Sequence, residues 1–182
     1  MWVYNLFTAT KALPMTDLTF YNAVIPALDH RMANLAHILR AGQANAAERK
    51  IDEAVFLNAR LAPDMASLIG QVQLATSLVK ACPYRVTGQT PPVYEDNEQS
   101  FDDLYARIDK TRKELSGFGP DDINGREGFA FAVKLGPSMR DFTGITYASG
   151  FIMPNVLFHC TTAYNILRHN GVPLGKKDFF NT

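Results

Sequence analysis

A repeating three-and-four step of apolar residues constrains this chain more than any other feature. Phe20, Val24, Leu28, Met32, Leu35 and Leu39 follow it, which places them on one side of an α-helix and leaves the other side polar. The pattern returns in Met65, Leu68, Ile69, Val72, Leu74, Ala75 and Leu78, and again in Phe101, Leu104, Tyr105, Ile108, Thr111 and Leu115. A fourth helix is expected from roughly Gly144 to His169. A one-faced helix draws most of its stability from covering that face. Four of them predict an all-α protein, a four-helix bundle.

Local punctuation supplies the boundaries. Thr16 or Asp17 is the expected cap of the first helix and Gly42 its end, with Pro26 marking a kink or the true start. Residues 43–51 are expected as a connection, and Ile51 to Leu61 as a short extra helix. Pro63 sits where a first helical position would fall, so the second main helix is expected from there to about Cys82-Pro83. Residues 87–98 form a loop. Ser100, with Asp103 three residues on, caps the third helix, and Phe118-Gly119-Pro120 stops it. Phe129, Phe131, Val133 and Leu135 alternate with small or charged residues, Gly136-Pro137-Ser138 is a turn, and Met139 to Phe142 returns. This predicts a small β-hairpin before the last helix. Thr143 caps that helix, Pro154 should bend it, and Gly171 suits a left-handed cap. The closing stretch from His159 to Phe179 is expected as one long helix with a Gly-capped turn. The loop lengths fit antiparallel neighbours, with one longer crossover around residues 83–99.

With 182 residues the chain is about one domain by length. That domain is expected over residues 17–182, after an N-terminal extension of residues 1–16. Trp2, Val3, Tyr4, Leu6 and Phe7 make the extension apolar. Such a terminus is expected to dock, on its own bundle or, preferably, at a subunit interface. Hydrophobic residues at 47% and charged residues at 20% exclude a disordered or fibrous chain. A net charge of zero with no basic block argues against a nucleic-acid partner. It also leaves little self-repulsion and so leaves room for self-association. No apolar run reaches the ~20 residues of a membrane span, and the first residues lack the pattern of a secretory signal. Cys82 and Cys160, without metal-site spacing, are expected as reduced thiols in a cytoplasmic protein.

The last helix carries the best chemical candidate. Asn155, His159 and Thr162 are spaced i, i+4, i+7 and share one face. A bundle-core histidine can direct a nitrogen at a metal or a small-molecule ligand, with other helices completing the site. Asp64, Gln71 and Gln73 are the polar candidates on the second helix. Zinc prefers three or four N, S or O ligands, for which Asn and Gln are poor substitutes. His30, Asn34 and His37 share a face of the first helix that is expected to be solvated or at an interface. His169 suits the end of its helix. Cys160 and His159 are neighbours in sequence, point about 100° apart, and are no nucleophile–base pair.

Three words of the sequence carry a resemblance. KIDEAVFLNARLAPDM (residues 50–65), QVQLATSLVKA (71–81) and FHCTTAYNILRHNGVPLGKKDF (158–179) are similar to a bacterial domain-of-unknown-function family of the DinB/YfiT-like superfamily. The similarity runs from about residue 17 to 179. It implies a four-helix bundle of unusual connectivity, often dimeric. In superfamily members of known activity three histidines hold a divalent metal, and some transfer thiol cofactors. Aligned on ILRHNGVPLG, His159 matches the second histidine of a His-x3-His pair, Asn155 stands at the first, and the third falls near Gln71.

One of three ligands therefore survives. The resulting expectation is a non-catalytic or small-ligand-binding homodimer with a degenerate metal site and no bound cofactor. A divergent enzyme using His159 with Zn, Ni or Mn is the alternative. A structural protein docking through its N-terminal segment is a third. Asn58, Arg60 and Asp64 are expected to fix the junction before the second helix, with an Arg60–Asp64 pair and Asp64 as cap. Lys176, Lys177 and Asp178 should anchor the tail.

Overall fold

The computed structural model describes residues 17–181, so the expectations for the extension at residues 1–16 lie outside the described residues. The chain forms α1 (Phe20–Glu48), α2 (Glu53–Leu57), α3 (Leu68–Val86), α4 (Phe101–Ser116), α5 (Pro120–Ile123), the strands β1 (Ala130–Leu135) and β2 (Ser138–Thr143), α6 (Gly144–Tyr147), a π-helical turn (Ala148–Ile152), α7 (Met153–His169) and α8 (Lys176–Phe180). It is the expected mostly helical bundle with one hairpin.

The four long helices close a ring in the order α1, α4, α3, α7. Neighbours in this ring are not always neighbours in sequence. The α1-to-α3 and α4-to-α7 connections each cross a diagonal of the bundle, while the long loop after α3 joins adjacent helices. Expected antiparallel neighbours therefore become two diagonal crossings. The first is spanned by α2 and the second by α5 and the hairpin. Leu28, Met32, Leu39, Leu68, Val72, Val79, Phe101, Leu104, Val156, Ala163 and Ile166 fill the space between the helices, each essentially inaccessible to water.

Thr19, not Thr16 or Asp17, caps α1: its hydroxyl accepts from the Asn22 amide at 3.2 Å. The helix runs through Pro26, whose missing N–H leaves the Asn22 carbonyl without its helical partner. It also runs through Gly42, the expected stop. A Cβ on Gly42 would stand 2.7 Å from Leu167 Cδ2 of α7. The glycine is there to let two helices approach, and helix continues across the expected connection to Glu48. The chain reverses at Lys50, with φ of 55°.

Ser67, rather than Pro63 or Asp64, begins α3, its hydroxyl accepting from Gly70 N. At the other end Pro83 lies inside the helix, which reaches the buried Val86. The Ser100–Asp103 capping box of α4 forms in full. In the hairpin Ala130 pairs with Thr143 and Leu135 with Ser138. Gly136, φ 59°, takes the first central position of its two-residue turn. Phe131 and Phe142 set their rings edge-on to Tyr147, with centroids 5.1 and 5.2 Å away, and fasten the hairpin to the bundle.

The final helix starts behind the Thr143 cap and ends at His169 as expected, and departs from expectation in its interior and beyond its end. Before Pro154 it widens into one π-turn, the local adjustment that accommodates a residue unable to donate. It stops at His169; Gly171, φ 89°, turns the chain, and Lys176–Phe180 forms a separate helix. His159 to Phe179 is thus not one helix. Asp178 caps α8 through the Gly175 amide at 2.7 Å, and Phe179 packs edge-on to Tyr164.

Candidate functional site

Adjacent in the ring, α3 and α7 bring the two strongest candidates together. His159 Nδ1 lies 2.8 Å from Gln71 Oε1. Gln71 is buried at 2% exposure, and its Nε2 donates to the Ala66 carbonyl at 3.0 Å. A carbonyl can only accept, so the Gln71 amide is oriented with Oε1 toward the imidazole. An amide oxygen also only accepts, so Nδ1 carries the ring proton. Nε2 then keeps its lone pair and has no partner among the described residues. His159 is half-buried, and burial holds its imidazole below the ordinary histidine value. The ring is neutral at physiological pH, with one free acceptor nitrogen.

The other candidates on this face have each committed one donor. Asn155 Nδ2 donates to the Phe151 carbonyl at 2.6 Å, and the Thr162 hydroxyl donates to the Phe158 carbonyl at 2.8 Å. The Asn155 bond reaches back into the π-turn, which ties that distortion to the site. Phe158, half-exposed, sets its ring edge-on to His159 at 5.4 Å.

The junction residues are arranged differently from expectation. Arg60 donates to the Met65 carbonyl, five residues on, instead of pairing with Asp64. Asp64 is exposed and caps nothing, because the helix begins four residues later, at Leu68. Arg60 therefore shapes the turn whose Ala66 carbonyl holds Gln71, while Asp64 stands apart. The first-helix face also differs: Asn34 is buried, its Nδ2 is 3.3 Å from His30 Nε2, and α8 covers part of that face with Asp178 3.9 Å from His37.

The resemblance implies a divalent metal held by three histidines. Of the residues at those positions, His159 Nε2 would supply one nitrogen, Gln71 Oε1 is taken by the imidazole, and Asn155 offers a neutral amide oxygen. No group of three or more His, Cys, Asp or Glu side chains able to hold a metal occurs among the described residues. This donor set does not fit such a centre.

A concavity of about 670 Å³ lies elsewhere, between the 93–99 loop and α4, where Arg107 forms part of the wall. Sequence reasoning missed this residue. Its side chain, 2% exposed, donates to Thr76 Oγ1 at 2.6 Å, Ser77 Oγ at 3.0 Å, Glu98 at 2.8 Å, and the carbonyls of Glu95 and Gln73. Asp96 adds an ion pair at 2.9 Å. Tyr94 lies beneath, its ring faced by Lys80 Nζ at 3.7 Å and Lys110 Nζ at 4.3 Å. Burial and then Arg107 push the Lys80 amine below its usual value. Every N–H of Arg107 is spent on the protein, so the guanidinium ties the 93–99 loop to α3 and α4 and has nothing left for a ligand. His159, by contrast, has an unused atom. The only sequence signal for the clamp was a basic residue three positions from Leu104 and two from Tyr105 of the apolar stripe, which ordinarily means a solvated face.

The family described as Domain of unknown function (DUF1993) matches residues 20–180. Among solved structures, a DinB family member protein from Shewanella denitrificans is 36% identical, over 89% of this chain and 92% of that one, with a TM-score of 0.80. No curated protein matches the chain. No described helix is long and apolar enough to cross a membrane. With the diagonal crossings, the π-turn and the α3–α7 seam in place, the chain belongs to the DUF1993 family and has a DinB-like helical fold.

Proposed function

We propose that this protein is a non-catalytic, small-ligand-binding homodimer whose binding atom is Nε2 of His159 and whose ancestral type of metal site is degenerate. One observation carries the reading: Gln71 ties down one imidazole nitrogen and leaves the other without a partner. Asn155 and Thr162 extend the polar face, and Phe158 gives a ligand's apolar body a surface to pack on. The exposed Leu157 and Phe158 of α7 and Leu74 of α3, with a net charge of zero, favour association of two copies. The buried, free Cys82 and Cys160 suit a cytoplasmic protein.

The second reading is a divergent metalloenzyme, in which the neutral His159 would serve as a lone protein nitrogen ligand to Zn, Ni or Mn. Elemental analysis of protein purified without a histidine tag separates the two. The binding reading expects sub-stoichiometric metal, no uptake of added Zn, Ni or Mn, and small molecules co-purifying with wild type but not with His159→Ala. Stoichiometric metal that His159→Ala loses would overturn it. Light scattering tests the dimer: Phe158→Glu should halve the mass, and a wild-type monomer refutes the assembly.

A further inference from the structure

The binding atom's identity restricts what it can bind. Four side chains meet at the α3–α7 seam, and each has used a donor internally: Gln71 on Ala66, His159 on Gln71, Asn155 on Phe151 and Thr162 on Phe158. Without a protein partner remain Nε2 of His159, the lone pairs of the Thr162 hydroxyl, and Oδ1 and the second Nδ2–H of Asn155. The histidine nitrogen can only accept, whereas the Asn155 amide can still accept and donate. No carboxylate belongs to this set, so the seam presents no formal charge.

We infer that Gln71 is a positioning residue that locks His159 in the Nδ1–H tautomer, and that Nε2 consequently selects ligands presenting an O–H or N–H donor. This rests on the reading of His159 as the binding residue. A histidine side chain free in water favours the opposite tautomer, with the proton on Nε2, so the lock has a signature of its own. Had Gln71 been leucine, the ring could place its proton on Nε2 and the site could as readily present a donor. A ligand with the same body but only an acceptor oxygen finds no partner at Nε2, and an anion meets the lone pair of a neutral ring.

The test uses full-length protein labelled with ¹⁵N at histidine and reads ring nitrogens by long-range ¹H–¹⁵N correlation. In wild type, His159 should show the Nδ1–H pattern. Gln71→Leu should shift the tautomer ratio toward Nε2–H by about threefold to tenfold, the worth of one hydrogen bond. Gln71→Glu keeps an acceptor at the same place and should keep the Nδ1–H form, which guards against a Gln71→Leu protein that fails to fold. Phenol should then shift the His159 Nε2 signal saturably, and anisole, its methyl ether, about threefold to tenfold more weakly. An Nε2–H form in wild type, or a ratio unchanged in Gln71→Leu, overturns the positioning role while leaving the His159→Ala co-purification result standing. Anisole acting as strongly as phenol, or phenol having no effect, overturns the donor selectivity.

Discussion

Removing Arg107 should be among the most damaging single substitutions in this protein, and its cost can be worked from the contacts. Arg107→Met keeps much of the volume and removes the charge. Asp96, whose side chain is 62% exposed, is re-solvated, and its pair contributes no more than about 1 kcal/mol. Glu98 is different: its side chain is 9% exposed, and after the substitution it loses its cationic partner while keeping the Gln73 Nε2 donor at 2.8 Å. Breaking a buried charge pair from one side costs about 3–5 kcal/mol, and the surviving Gln73 bond keeps the value near the middle of that range. A loss of about 4 kcal/mol lowers the melting temperature of a chain this size by roughly 8–16 °C. Urea unfolding followed by far-ultraviolet circular dichroism should show the midpoint fall with little change in slope. Adding Glu98→Leu should recover part of the loss, since a buried pair replaced by apolar groups is often neutral. The pH dependence gives a sign. Burial raises Glu98, but hydrogen bonds from Arg107 and Gln73 outweigh it and hold the carboxyl below its ordinary 4.5. Its contribution is therefore present above that value and lost as pH falls through it; in Arg107→Met that acid-side loss should shrink or reverse. A single-variant cost under about 1 kcal/mol, or a double variant no better than the single, refutes the account.

Three further outcomes follow from local geometry. A Cβ at Gly144 would fall on the Arg126 carbonyl oxygen, so Gly144→Ala should cost about 3 kcal/mol in thermal or urea unfolding. Gly150→Ala, with open space around it, should be neutral or stabilising; equal effects would show that the α6 entry is not the tight point. Burial pushes both thiols up to about 12; a thiol reagent at pH 8 should therefore react only as the protein opens, and a rapid equivalent from the folded state would contradict that packing. Because burial lowers the His159 imidazole, the unfolded chain binds its proton first. Wild type should lose stability relative to His159→Gln as pH falls below about 6.5, and a flat difference across that range would refute the burial.

The helical periods were legible because covering an apolar face is a local demand written every three or four residues. What escaped the sequence depended on distant partners. Gly42 looks like a helix stop and is a helix contact, because Leu167 sits 125 positions away and needs the room. Pro83 looks like an end, yet α3 continues to Val86, which the core holds at 1% exposure. Arg107 has the sequence context of a surface residue, and only the 93–99 loop folding over it makes it a buried clamp. The same distinction governs the seam. His159 stood out by residue type, and Asn155 and Thr162 by spacing, but the proton's location depends on a chain of single-direction bonds from Ala66 through Gln71, across two helices brought side by side by a diagonal crossing. Glutamine at 71 occupies one nitrogen of His159 and asparagine at 155 pins the π-turn, and the second imidazole nitrogen is left without a partner among the described residues.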